Sequence, residues 1–137
     1  MKKRNSFLFL IMLFPLLSLS CSSQTIKRID IKYVDIEIET PFQIKCDNFD
    51  NFFQNEIDSV SINDNNSISE FVSEIEKLNK ADLSKYSMPD TRIKISIVYN
   101  GKISECCLDR FVLSSQNEVF VLSETFKALL KKYTVVK

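Results

Sequence analysis

The chain contains no histidine, no tryptophan, one glycine and three prolines in 137 residues. Each shortage removes a class of chemistry. Without imidazole there is no Ser-His or Cys-His nucleophile, no histidine-ligated metal and little acid-base chemistry that titrates near neutral pH. One glycine, Gly101, cannot build a loop whose backbone cradles phosphate. Charge of either sign is also not in excess: 18 basic and 18 acidic residues cancel, so there is no basic field to hold nucleic acid. No cofactor and no metal site are expected. Any enzyme reading rests on carboxylates, lysines, hydroxyls or thiols, with Glu37, Glu39 and Cys107 as its candidates.

What is present begins with Met1-Lys2-Lys3-Arg4, followed by an apolar run from Phe7 to Leu19 broken by Pro15 and, near its end, Ser18. A positive start followed by a short apolar stretch is the order of a secretory signal. A spanning helix needs ~20 consecutive apolar residues, and this run is shorter. Ser18 and Ser20 precede Cys21 at the minus-three and minus-one positions and suit an ordinary signal peptidase. The alternative is set by Cys21 itself, which directly follows the run and precedes the polar Ser22-Ser23-Gln24. That arrangement resembles a bacterial lipoprotein signal, although Ser18 stands where such signals carry a Leu-like residue. The resemblance implies that Cys21 becomes the mature N-terminus with a diacylglycerol on its thiol. Its placement favours lipidation. Each buried methylene contributes ~0.8 kcal/mol, and two acyl chains anchor stably where one does not. The expected organisation is a signal peptide over 1–20, a short tether over 21–25 and a single domain over 26–137.

Within that domain, Ile26 to Glu39 alternates apolar and polar residues as a half-buried strand does. The apolar phase moves from odd to even positions near Tyr33-Val34, which demands a bulge or break there. Phe42 to Cys46 reads as a short extension of the run. Asp47-Asn48 reads as the cap of one helical turn bearing Phe49, Phe52 and Phe53, three aromatics covering an open end of the core. Glu56 to Ile62 reads as a strand. Ser67 to Glu70, SISE, matches a capping box, and Ile68, Phe71, Val72, Ile75 and Leu78 then follow at helical spacing.

Lys80 to Asp90 has no period, so it reads as a loop, with Tyr86 and Met88 as candidate partner contacts. Arg92 to Tyr99, Asn100-Gly101 and Lys102 to Leu108 form the clearest unit, a hairpin with a type I′ turn. Its register pairs Ile97 with Ser104, Ile95 with Cys106 and Ile93 with Leu108, which puts Cys106 on the isoleucine face and Cys107 on the opposite one. A second hairpin turns at Ser115-Gln116-Asn117, and Ser123 caps a terminal helix striped by Phe126, Leu129, Leu130 and Tyr133. The fold class is α+β: a mostly antiparallel sheet, a meander in its C-terminal half, and two amphipathic helices on one face.

The thiols follow from the fate of Cys21. If it is lipidated, Cys46, Cys106 and Cys107 remain and at most one bridge forms; if not, four cysteines allow three connectivities. Adjacent strand residues point to opposite faces, so a Cys106-Cys107 bridge is disfavoured, while Cys46 can reach either neighbour. The signal, together with a strand-helix-meander-helix order from Glu56 to Tyr133, resembles small envelope lipoproteins of Gram-negative bacteria. It implies a domain held at a membrane by the Cys21 lipid, facing the periplasm or the exterior; a soluble periplasmic or secreted form is the alternative.

The expected role is a non-catalytic binding module for a protein partner, of inhibitor or immunity type. A histidine-free hydrolase or thiol enzyme, or a structural component of an envelope assembly offering a sheet edge, are the alternatives. An intact-mass measurement of the mature protein is expected to give a chain starting at Cys21 with an added lipid mass and at most one disulfide. An unmodified chain would assign Cys21 to the ordinary cleavage site.

Overall fold

The hairpin predicted around Asn100-Gly101 is the centre of the fold. The computed structural model, which describes residues 24–134, forms a seven-stranded antiparallel sheet, and the expected α+β class is observed. In chain order the strands are β1 (Ile26–Tyr33), β2 (Asp58–Ile62), β3 (Asn79–Lys80), β4 (Ile93–Tyr99), β5 (Ile103–Leu108), β6 (Val112–Ser115) and β7 (Glu118–Val121). The helices are α1 (Phe49–Phe53), α2 (Asn65–Glu76) and α3 (Glu124–Tyr133). The spatial order is β2-β1-β4-β5-β6-β7-β3.

Strand alternation sorts the side chains. Ile29, Ile31, Ile93, Ile95, Cys106, Leu108 and Leu113 lie on one face, under α2 and α3, in the main core. The two helices meet through Phe71 and Phe126, whose rings are 5.4 Å apart and edge to face, a geometry that adds roughly 0.5–1.5 kcal/mol beyond area burial. The register of β4 against β5 is the one expected, with Ile95 opposite Cys106 and Ile93 opposite Leu108.

Several local expectations are corrected. The break after Tyr33 is real, but Val34 to Glu39 does not resume as a strand: Asp35 accepts a hydrogen bond from the Glu37 amide at 2.9 Å and turns the chain. Phe42 to Cys46 is also not a strand, and α1 has no side-chain cap. The first helix after β2 starts earlier than SISE. Asp64 is its cap and accepts from the Ser67 amide at 2.8 Å, so Ser67 is the donor to the cap and not the capping residue. Ser123 caps α3 as expected, accepting from the Phe126 amide. Asn79–Lys80, read as the end of a helix and start of a loop, instead forms β3 against β7. Two residues are too few to show a period.

Type I′ geometry is found at the second hairpin and not at the first, where it was expected. Gly101 has φ +75° while Asn100 does not enter the left-handed region, so that turn is not type I′. At the second hairpin Ser115 pairs with Glu118, and the two residues between them, Gln116 (φ +51°) and Asn117 (φ +67°), both lie in the left-handed region that type I′ requires. Asparagine tolerates this conformation; glutamine does not do so readily. Replacing Gln116 by glycine is therefore expected to raise unfolding free energy by about 0.5–1 kcal/mol, measurable as a higher denaturant midpoint.

Candidate binding site

The sheet's second face has no long helix to cover it. It carries Lys32, Lys94 and Cys107, which stand in line across β1, β4 and β5. Residues 34–57 fold over it as an excursion containing α1 and a second small core of Val34, Ile44, Phe49 and Phe53. Thus Phe49 and Phe53 build a separate core on this face, while Phe52 is 41% exposed.

Three sets of contacts pin the excursion. Cys46, in a single 3-10 turn (Cys46–Asn48), is disulfide-bonded to Cys107, with Cα atoms 5.6 Å apart. Of the two bridges left open, the sheet's alternation selects this one. Asp50 receives Lys32 at 2.6 Å and Lys94 at 3.1 Å. The Lys32 hydrogen bond, with that of Lys94, holds its carboxyl below the ordinary range against the opposing effect of burial. Arg92, almost fully buried, grips Asp90 through both carboxylate oxygens at 2.8 and 2.9 Å and donates to the Ile38 carbonyl and the Thr40 hydroxyl. Asp90 in turn accepts from the Ile44 amide at 2.7 Å.

Arg92 and Asp90 were not visible as functional residues in the sequence. Arg92 lies in phase with Lys94 and Ser96, and a buried clamp in that position reads the same as a solvated strand face.

Between the pinned excursion and the β6-β7 hairpin lies a cavity of 520 Å³, lined on one side by Gln43, Lys45, Cys46 and Asp47 and on the other by Glu105, Ser114 and the Gln116-Asn117 turn. Met88 and Thr91 complete the wall. Thr91 is fully buried, and among the described residues its hydroxyl is a buried polar atom without a hydrogen-bond partner. Such a group costs roughly 1–3 kcal/mol unless something meets it. No ion pair joins Lys45 or Asp47 to another described residue.

A second depression, 600 Å³, brings Glu37 and Glu39 together with Asp90, Arg92, Asp109 and Arg110. Its charges are mostly spent internally. Arg110 bonds Glu37 at 2.6 Å, Arg92 holds Asp90, and Asp109 accepts from the Phe111 and Val112 amides. Glu37 and Glu39 thus share a depression on a segment that is not a strand, and Cys107 is committed to the disulfide. The polar cavity beside Met88, with groups still unmatched, is the better binding site.

Of the predicted contacts, Met88 lines this cavity and is 49% exposed, whereas Tyr86 is half-buried and belongs to a turn in which its amide bonds the Asp82 carbonyl. Gln43 ties Met88 to the excursion, donating to its carbonyl at 2.7 Å. Gln43 and Lys45 also line a shallower groove with Phe42 and Phe52, whose rings meet edge to face at 5.5 Å. Cys106 is buried under the helices with a free thiol. Burial pushes its pKa up and the Glu105 charge adds to this, against a hydrogen bond with Ser115, so it is a poor nucleophile.

Cys21 and the signal segment lie outside the described residues. Among the described residues no helix is long and apolar enough to cross a membrane, and no cluster of three or more cysteines and carboxylates is arranged to hold a metal ion. Compared with family models, curated proteins and solved structures, the chain matches none.

The disulfide closes a loop across a sequence separation of 61 residues, for which chain entropy gives about 4 kcal/mol. A Cys46→Ser/Cys107→Ser variant is expected to lose about that much stability in urea unfolding, whereas Cys106→Ala should lose less than half of it.

Proposed function

We propose that the protein is an exported, lipid-anchored binding module whose recognition surface is the outer side of the pinned excursion. The observation that carries this reading is the exposure of Phe42 (61%) and Phe52 (41%) on a segment that is otherwise fixed to the sheet by a disulfide, a buried arginine and a shared carboxylate. Aromatic residues and methionine are enriched in protein interfaces, and an apolar pair held rigid binds without a further cost of ordering. Met88 and the polar cavity extend the same surface through Gln43 and Lys45. A folded protein partner suits this combination of apolar knob and unmatched polar wall. The Cys21 lipid would supply the membrane attachment.

The test is a pull-down from detergent-solubilised membranes with the mature protein and its Phe42→Ala/Phe52→Ala variant. The intact surface is expected to recover a specific protein, and the double variant to lose it by about tenfold or more, or ~1.4 kcal/mol, with unchanged thermal unfolding. Recovery of no specific protein, or equal recovery by both, refutes the reading.

A further inference from the structure

The chain enters the described fold at Gln24, which lies with Ile26 in a groove against Ile68 and Val72 of α2. Three residue steps separate Gln24 from Cys21, a reach of at most ~11 Å when fully extended. From there β1 runs eight residues to Tyr33, or about 25 Å. A lipid on Cys21 therefore holds one particular end of the sheet close to the bilayer.

The tip of the β4-β5 hairpin is at that end. Ile26 pairs with Tyr99, whose amide bonds the Lys102 carbonyl at 2.8 Å, so the tip stands two strand spacings, roughly 10 Å, from the start of β1. Ile103 is 59% exposed there, opposite the half-buried Val98. The excursion covers the second face only farther along, over Lys32, Lys94 and Cys107. Lys102, and Lys27 at the bulge between Ile26 and Arg28, are exposed and among the described residues join no ion pair. Of the carboxylates at this end, Asp30 is held by Arg28 and Ser61, and Asp64 caps α2. The opposite charge gathers on the excursion, where Asp35, Glu39, Asp47 and Glu56 are exposed and outside any ion pair among the described residues, against Lys45 alone. An anionic surface attracts the first set and repels the second.

We infer that the hairpin tip rests on the bilayer that receives the Cys21 lipid, with Ile103 in the headgroup layer, Lys27 and Lys102 on anionic headgroups, and Phe42 and Phe52 turned away toward a partner. This rests on the reading of the protein as a lipid-anchored module and adds its orientation. An apolar side chain flanked by lysines suits an interface, the one entering the acyl boundary and the others reaching the headgroups. One isoleucine and two lysines are too few to hold a protein on a membrane from solution. On a tether of at most ~11 Å the contact is intramolecular, and weak groups suffice.

The chain holds no tryptophan, so a single introduced indole reports its own surroundings. Two of the four thiols are bridged and Cys106 is buried, so the mature protein is coupled through Cys21 to a maleimide phospholipid in vesicles of phosphatidylethanolamine and phosphatidylglycerol, part of it brominated in the acyl chains. The Ile103→Trp emission is expected to move to shorter wavelength and to lose intensity to bromine, and Phe42→Trp to keep its aqueous emission. Adding Lys27→Gln/Lys102→Gln should shift docked against undocked tips by about thirtyfold and return the Ile103→Trp emission toward its aqueous value. With all side chains unaltered, acetylation of Lys27 and Lys102 by a water-soluble reagent should slow on coupling, while Lys131, which lies with Phe111 at the other end of the sheet, keeps its rate; this measurement decides if a tryptophan variant misfolds. Equal quenching of Ile103→Trp and Phe42→Trp, quenching of neither, or unchanged acetylation of Lys27 and Lys102 overturns the orientation. Because the anchor is attached chemically, the outcome does not depend on natural lipidation, which the intact mass decides separately.

Discussion

The Cys46-Cys107 cross-link is the constraint on which the arrangement of the second sheet face depends. A seven-stranded sheet has two faces to cover, and α2 and α3 cover only one. The other is left to residues 34–57, whose one α-helix is five residues long. Such a segment has few hydrogen bonds of its own and must borrow its shape from what it touches. The disulfide, the Lys32-Asp50-Lys94 pairing and the Arg92 clamp all reach into the sheet. Slipping β5 by one residue against β4 would turn Cys107 toward the helices and Cys106 toward the excursion. The register of one hairpin thus fixes where an irregular segment lies.

That division of labour explains how apolar side chains can stay exposed without collapse. Ile44, Phe49 and Phe53 hold the underside of the excursion against the sheet. Phe42 and Phe52 are then free to stand outside, braced edge to face against each other. The cavity between the excursion and the second hairpin exists because neither wall can close on the other: one is cross-linked to β5, and the other is bound by a tight two-residue turn.

Much of this was legible where side-chain period is strong. The α+β class, the β4-β5 register, the opposite facing of Cys106 and Cys107, the phase break after Tyr33 and the Ser123 cap follow from alternation, helical spacing and capping chemistry. The failures fall where the signal is only a dipeptide or a local competition. Asn-Gly is the commonest type I′ sequence, yet Gln116-Asn117 adopts that turn because β6 and β7 are in immediate register on both sides. Asp64 takes the cap from Ser67 by lying one turn earlier on the same helix. The proposed binding surface was legible only in Met88. Its other parts, Phe42, Phe52 and Thr91, acquire meaning from long-range packing: Thr91 through its amide on Ile44, and Phe42 through the excursion's fold over a distant strand.

The adjacency of Cys106 and Cys107 also bears on how the protein matures. A hairpin closes in roughly microseconds, whereas disulfides form over seconds to hours. In the folded sheet the pleat of β5 sorts two neighbouring thiols that are chemically equivalent in the unfolded chain. One is presented to the excursion; the other is sealed beneath α2 and α3, where burial keeps it protonated. A free thiol next to a bridged one ordinarily invites scrambled or intermolecular bridges. Here strand geometry does the proofreading, and the surplus thiol is removed from circulation by folding itself.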